Sequence, residues 1–511
     1  MPGTGKSRIC KGNQKKFMTA DSQTACTYHR IKAIFVHYFQ EIHMFKKKTL
    51  AFLVSGALVT MAGTMQANAA STGFDNFTAL PGNVAVGSLP ESSPFQLANP
   101  NWTQVSIANR NNQLSLGQAN PGNWDMITAN ETGADAGRYL LMPFEVFSAT
   151  TPEGGVQRID LWDSNYNTRT VTLVAPGTQG FVAGDAARWT PWGSYLTAEE
   201  SWGAGSTKGR LFELTNSVTA TGTGDSNFVQ RAVIPHVSHE GLAFDKDNSM
   251  YFIDEFNGGS IYKYVSANPN ATNGDDYFAA GQTFAMQVNG GGNDNATGAI
   301  TWAPITDANG GALVGVSVLN SDGSIDGRLS ADNALGTNYQ RPEDLEIKTL
   351  DNGDQILFVA TTTTNEVYSF NLASNNASLF VNTSTLDQAT GLGVGGALKS
   401  PDNLAIDAEG NIYIVEDQPG GQADIWFATD ANNDGVAESI GRWASMSTDG
   451  AEPTGLYFDK FNPNVAYVNV QHPLSGDDRT IMIAVPEPET YAMLLAGLGL
   501  IGVSARRRKI R

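Results

Sequence analysis

Ser400–Asp417 reads SPDNLAIDAEGNIYIVED, and its pattern decides the fold class. Leu404 and Ile406, then Ile412 and Ile414, alternate with polar or small residues, the period-2 signature of paired strands. Between them Ala408–Asn411 (AEGN) is turn chemistry, with Gly410 free to take positive φ. Carboxylates bracket the hairpin: Asp402 ahead of the first strand, Glu416 and Asp417 behind the second. A hairpin brings its two ends together, so these acids are expected at one end of the sheet.

The same plan recurs on both sides. Upstream, Arg341-Pro342-Glu343-Asp344 leads into strands at Leu345–Ile347, Ile356–Ala360 and Glu366–Phe370. In Ser238–Tyr264, SHEGLAFDKDNSMYFIDEFNGGSIYKY, Glu240 precedes the first of three strands and Asp254-Glu255 follow the second. Trp189–Glu200, WTPWGSYLTAEE, gives a strand at Ser194–Thr197 ending in Glu199 and Glu200, with Lys208–Leu214 pairing after a glycine-rich turn. Downstream, Glu452-Pro453-Thr454-Gly455 leads into Leu456–Phe458, followed by Val465–Val470 and Thr480–Ala484. Asp245, Asp407 and Asp459 hold one turn position in three units. Strand-only units repeating every ~40–60 residues predict an all-β propeller with inner-strand ends facing a central channel. Six blades are expected, and five or seven are compatible with the pattern. Phe74–Asn130, rich in Asn, Gly, Ser and Pro, reads as an irregular N-terminal wrap, with short strands at Tyr139–Phe147, Val156–Trp162 and Arg169–Val174.

The chain has 511 residues, 41% apolar and 16% charged, with 54 Gly and 21 Pro, as suits a large, turn-rich globular protein. Its two cysteines, Cys10 and Cys26, both precede the body, which excludes a disulfide framework, a zinc finger or a thiol nucleophile there. Residues 44–69 read as a Sec signal peptide: Met44 as start, basic Lys46–Lys48, apolar Leu50–Met65, and an Ala67-Asn68-Ala69 cleavage site. Sec translocon and signal peptidase are the partners this implies. Residues 1–43 are then an upstream extension ahead of the true start, the other reading being a cytoplasmic extension ahead of an uncleaved anchor, and 70–484 the propeller body. Pro2–Ser7 (PGTGKS) lacks the first glycine of a phosphate loop. Residues 485–511 carry Val485-Pro486-Glu487-Pro488, an apolar run Tyr491–Ala505, and Arg506-Arg507-Arg508-Lys509. This end resembles the PEP-CTERM sorting signal. The resemblance implies a Gram-negative exporter, an exosortase as partner, transient inner-membrane anchoring by the short apolar segment, and delivery to the cell surface or extracellular matrix.

The two ends hold 15 of the 32 Lys and Arg residues but only 4 of the 51 Asp and Glu, so the body is near −30. Such a surface repels nucleic acid and anionic lipid and suits calcium, which takes oxygen ligands. Solubility alone would favour the same charge. If the inner-strand ends converge, Glu199 or Glu200, Glu240, Glu343, Asp402, Glu416 and Glu452 surround one axial space. Crowded carboxylates raise one another's pKa unless a cation joins them, and all-oxygen ligands favour Ca²⁺, Mg²⁺ or Mn²⁺ over zinc. Some of these acids would otherwise cap strands or bind backbone amides. Asp430, Asn432 and Asp434, in DANNDGVAE, match the front of a calcium loop, but Gly441 stands where the closing glutamate belongs. A peripheral calcium loop and a simple Asx-turn are both open there.

The strings TPWGSYLTAEE, HEGLAFD…YFIDE, RPEDLEI, SPDNLAID…IYIVED and EPTGLYFD…AYVNVQHP, in that order over Trp189–Pro473, resemble the PhoX-type alkaline phosphatase family. The resemblance implies a six-bladed propeller that hydrolyses phosphate monoesters with iron and calcium in its channel. It carries metal roles onto Glu199, Glu240, Glu343, Glu416 and Glu452, and onto Glu200 and Asp402. The chain departs from the family at Ala198, where the motif has the cysteine that bridges the irons, so calcium is expected rather than iron. Arg341, beside Glu343, is the candidate phosphate clamp, with ion pairing to neighbouring acids as its other reading. The first functional reading is an exported metal-dependent phosphoesterase. The alternatives are a non-catalytic calcium-stabilised surface or matrix propeller, and a calcium-dependent lactonase-type hydrolase with Asn403 and Asn469 as ligands. The body has only His236, His239 and His472 and no G-x-S-x-G, which leaves Ser/His/Asp chemistry without support.

Overall fold

The hairpin that opens the sequence reading is the inner half of one blade. Pro401–Ile406 pairs antiparallel with Ile412–Glu416, with Leu404 opposite Ile414 and Ile406 opposite Ile412. The second strand is buried along its whole length, not on one face only. Ile412 and Ile414 pack towards the preceding blade, while Tyr413 and Val415 pack towards the following one. Successive side chains of a strand point to opposite faces, so a sheet sandwiched between two others needs apolar groups at every position.

In the computed structural model, which describes residues 73–147, 153–201, 203, 205–417 and 422–486, six such sheets stand side by side. Their inner strands are Thr128–Ala129, Arg188–Trp189, Leu242–Phe244, Pro342–Thr349, Pro401–Ile406 and Glu452–Phe458, numbered here as blades 1 to 6. Each runs outward through antiparallel neighbours to a fourth strand. Six apolar clusters fill the spaces between consecutive blades, and one joins Leu140 and Met142 of blade 1 to Tyr457 and Tyr467 of blade 6. The ring is therefore closed, and the expected six-bladed propeller is what forms.

Closure comes from the segment expected to be irregular. Thr103–Asn109 is the fourth strand of blade 6, pairing with Arg479–Ala484 from Thr103 opposite Ala484 to Asn109 opposite Arg479. Phe95–Leu97 adds an outer strand to blade 5, and Phe74 is buried against Trp102, Trp443 and Phe458. A strand whose partner lies at the far end of the chain carries no local turn signal, so a stretch rich in Asn and Gly hides it. Blades 3 and 4 are joined at their outer edges, Gly298 lying opposite Ala377. The insertion between them carries a short helix, Gly327–Asn333, capped at its N-terminus by Asp326, which accepts from the Leu329 amide.

The expected leader, the 1–43 extension and the sorting signal beyond Pro486 lie outside the described residues. Among the described residues no helix is long and apolar enough to cross a membrane, and Tyr491–Ala505 is not among them.

Candidate metal centre

The residue that follows each lead-in acid stitches neighbouring inner strands together. Asn403 Oδ1 accepts from the Gly455 amide at 2.6 Å, and Asp344 Oδ2 accepts from the Leu404 amide at 3.0 Å. Gly241, which follows Glu240, fills the equivalent place without a side chain, and Gly455, three residues past Glu452, holds the same register ahead of Leu456. A Cβ on Gly241 would come within 2.4 Å of the Leu345 amide nitrogen, and one on Gly455 within 2.6 Å of that of Ile127. With that residue turned to the neighbouring blade, the acid one place earlier points to the axis, because strand side chains alternate.

Three lead-in acids, Glu240, Glu343 and Asp402, meet there. Each offers a carboxylate oxygen within 4.8 Å of the others, and all three are buried. Asp125, Glu145 and Asp185 form a second group at the same spacing, with Glu145 only half-buried. Glu200 adjoins Glu145 and Glu255, and Glu452 adjoins Asp417. Burial, and then neighbouring carboxylates, hold Glu240, Glu200, Glu255, Asp402 and Glu452 well above the usual carboxylate range. Glu343 is raised in the same way, chiefly by burial, and Asp125 is pushed up to about 6 by burial. Glu240 Oε2, Asp185 Oδ1, Glu255 Oε2 and Glu452 Oε2 are buried with no hydrogen-bond partner. Buried charge without a partner is costly. Orphaned oxygens in an all-carboxylate donor set fit a hard cation.

Two expected ligands are elsewhere. The Glu199 carboxylate pairs with Arg210 at 2.5 Å and accepts from the Val182 and Arg210 amides. Glu416 accepts from the amides of Lys399 and Asp424 and from the Trp426 indole, and burial pushes its pKa up to about 8. Adjacent residues at a strand end point in opposite directions, so only one of each acidic pair can face the axis. In Glu199-Glu200, Asp254-Glu255 and Glu416-Asp417 it is the second. The first is tied behind the wall, Asp254 to Arg328 at 2.6 Å.

The sequence reading of the axial acids missed Asp125, Glu145, Asp185, Glu255 and Asp417. Asp125 and Asp185 each stand three residues ahead of an inner strand, and Glu145 lies two past the strand Tyr139–Pro143, so strict extension of the repeat to every blade would have found them. Asn403 and Asn469 are engaged with backbone: Asn469 Nδ2 donates to the Asp125 carbonyl at 2.5 Å and its Oδ1 accepts from Thr480. Arg341 reaches Glu255 at 2.6 Å and Glu343 at 3.2 Å, with its side chain about a quarter exposed. His472 holds Glu452 Oε1 at 2.8 Å through Nε2 and faces the Gly450 carbonyl through Nδ1. Ala198 lies in an apolar cluster with Leu196, Leu211 and Val237. In the 430–438 loop, Asp430, Asn432 and Asp434 accept from the loop's own amides, the Asx-turn geometry.

A family model described as alkaline phosphatase PhoX matches residues 180–474. The chain belongs to the PhoX family. Asp125 and Glu145, in blade 1, stand outside the matched stretch, and the other axial acids stand within it. The PEP-CTERM protein-sorting motif matches 484–509, so it begins on the last residue of Arg479–Ala484, the strand against which Thr103–Asn109 closes the ring. No curated protein matches the chain in sequence. Among solved structures, Pseudomonas fluorescens PhoX in complex with vanadate, a transition state analogue, aligns with a TM-score of 0.57 at 16% identity, covering 80% of this chain and 97% of that one. That likeness establishes the fold. A candidate phosphatase from Bacteroides thetaiotaomicron aligns more loosely, with a TM-score of 0.44 at 12% identity over 76% of this chain and 79% of that one.

Proposed function

We propose that this PhoX-family chain is an exported, metal-dependent phosphoric monoester hydrolase whose site is the acid-lined channel. The observation that carries the reading is the ring of buried carboxylates with one guanidinium, Arg341, laid against two of them. Glu240, Glu343 and Asp402 would hold one hard cation, and Asp125, Glu145 and Asp185 a second. Glu200, beside Glu145 and Glu255, and Glu452, beside Asp417, extend the acidic lining around these two groups. Bound there, the cations supply Lewis-acid polarisation of a phosphoryl group. Arg341 contributes a planar fork of N–H donors that matches phosphate oxygens, and its two acidic neighbours hold that fork in place. Negative charge elsewhere on the body discourages polyanionic substrates, so small monoesters are the expected class. Calcium fits the donor set best, and iron lacks a sulfur ligand because Ala198 stands in the family cysteine's place. The sorting motif supports handling by an exosortase and a final place at the cell surface or in the matrix.

One observation favours a second reading. Ala198 sits among apolar side chains, as a propeller that kept its calcium and lost its chemistry would allow. Metal content of residues 70–484 by elemental mass spectrometry, with phosphate-ester hydrolysis assayed on the same sample with and without chelator, separates the two. Bound calcium with chelator-sensitive turnover is expected. Calcium with no turnover would remove the phosphoesterase reading and leave a calcium-stabilised surface propeller.

A further inference from the structure

Behind the channel wall lies a buried ion pair whose acid is not itself axial. Arg328, on the short helix of the insertion between blades 3 and 4, reaches Asp254 with Nε and Nη2, both at 2.6 Å, in fork geometry. Asp254 is fully buried and Arg328 nearly so. The guanidinium also stacks 4.0 Å from the centre of the Phe256 ring. Asp254 Oδ1 accepts in addition from the Ser238 amide at 2.9 Å. Ser238 in turn accepts from the Glu255 amide through its carbonyl, at 2.7 Å, and from the Ser201 amide through its hydroxyl, at 2.9 Å. The Phe256 carbonyl accepts from the Arg341 amide at 3.1 Å.

These links meet the backbone beside three axial acids. Ser201 follows Glu200, Ser238 stands two residues before Glu240, and Asp254 precedes Glu255. One ion pair therefore fixes acids contributed by blades 2 and 3, and through Phe256 it reaches the residue that carries the phosphate-facing fork. We propose that Arg328 is a positioning residue for the metal centre: by neutralising Asp254 it holds Glu200, Glu240 and Glu255 in the arrangement that binds the cation. The insertion that supplies it is thereby a working part of the site rather than decoration between blades. The inference rests on the metal-binding part of the proposed function but not on hydrolysis.

Calcium binding to the body, followed by titration calorimetry with CaCl₂ alone, tests it. Three variants are compared with the parent: Arg328→Lys keeps the charge without the fork, Arg328→Met removes it, and the pair Asp254→Asn with Arg328→Met removes both charges so that none is left buried alone. Residues supporting metal ligands typically contribute about 10–100-fold to affinity. Arg328→Met and the paired variant are therefore expected to bind calcium about tenfold or more weakly, with Arg328→Lys between them and the parent. A purely structural role would lower the melting midpoint in chelator and leave calcium affinity unchanged. Parent-like calcium affinity in Arg328→Met, or in the paired variant should the single one fail to fold, would overturn the proposal. So would a parent that binds no calcium. A parent that binds calcium but hydrolyses no phosphate ester would end the phosphoesterase reading, and the calorimetry would still decide the role of Arg328.

Discussion

At the scale of single residues, the site works by contrast between acids that are paired and acids that are not. Glu199 is neutralised by Arg210 and Asp254 by Arg328, while the axial acids crowd one another, with Arg341 shared by Glu255 and Glu343 and with His472 on Glu452. Glu343 is engaged by the Thr362 hydroxyl and by Arg341 on the same oxygen, so Glu343→Gln keeps the shape and removes only charge. Calcium affinity should fall by at least the roughly tenfold that even supporting residues cost, and calorimetry against CaCl₂ would show it. An unchanged affinity would take Glu343 out of the donor set. Arg341→Lys keeps one positive charge but loses the fork. On the phosphoesterase reading it should raise KM for a phosphate monoester about tenfold, equivalent to about 1.4 kcal/mol, with little change in calcium stoichiometry. Steady-state kinetics of the two proteins decide the point, since a KM equal to the parent's would leave Arg341 as an ion-pair residue only.

At the scale of elements, blades 3, 5 and 6 share a turn built from one aspartate and one tyrosine. Asp245 accepts from the Asp247 and Ser249 amides and from the Tyr251 hydroxyl. Asp407 does the same with the amides of Glu409 and Asn411 and the hydroxyl of Tyr413, and Asp459 with Phe461, Asn462 and Tyr467. Each aspartate thus ties the inner hairpin's turn to its second strand. Asp407→Ala should cost about 1–3 kcal/mol, the range for hydrogen bonds to a charged group, read as a lower urea midpoint at unchanged slope. Calcium stoichiometry should not move, because this turn lies on the side of the sheet away from the acids. This level was also the most legible in the sequence. Period-2 alternation and turn residues are local, so Leu404–Ile414 and its copies could be read directly, and with them the lead-in acids Glu240, Glu343 and Asp402. What could not be read was which of two adjacent acids turns inward. That depends on partners about ten residues away across a loop, Arg210 for Glu199 and Trp426 with the loop amides for Glu416, whose approach no local pattern announces. Nor could a strand whose only partner is some 370 residues away announce itself, and so Thr103–Asn109 passed for a wrap.

At the scale of the molecule, the channel couples protonation, metal and stability. Burial raises the axial acids, so the folded body without cation keeps protons that the unfolded chain has already lost. The stability this gives is complete below the ordinary carboxylate range. It drains away as pH rises through the raised values, of which Asp125 at about 6 is one; Glu416, buried behind the wall and not axial, adds to the same trend at about 8. Melting in chelator should therefore occur at a lower temperature at pH 8 than at pH 5. Saturating calcium should reverse the order, because ligation needs ionised carboxylates and releases their protons. A chelated body whose midpoint rises between those two pH values would contradict the burial argument.

The closing strand also sets a schedule. Its partner, Arg479–Ala484, is the last secondary structure before the sorting motif takes over. A chain delivered N-terminus first presents Thr103–Asn109 early and must keep it waiting until nearly everything else has arrived. The ring cannot lock until the chain is available as far as Ala484, so its first and last parts snap together in one late step, next to where the sorting motif begins.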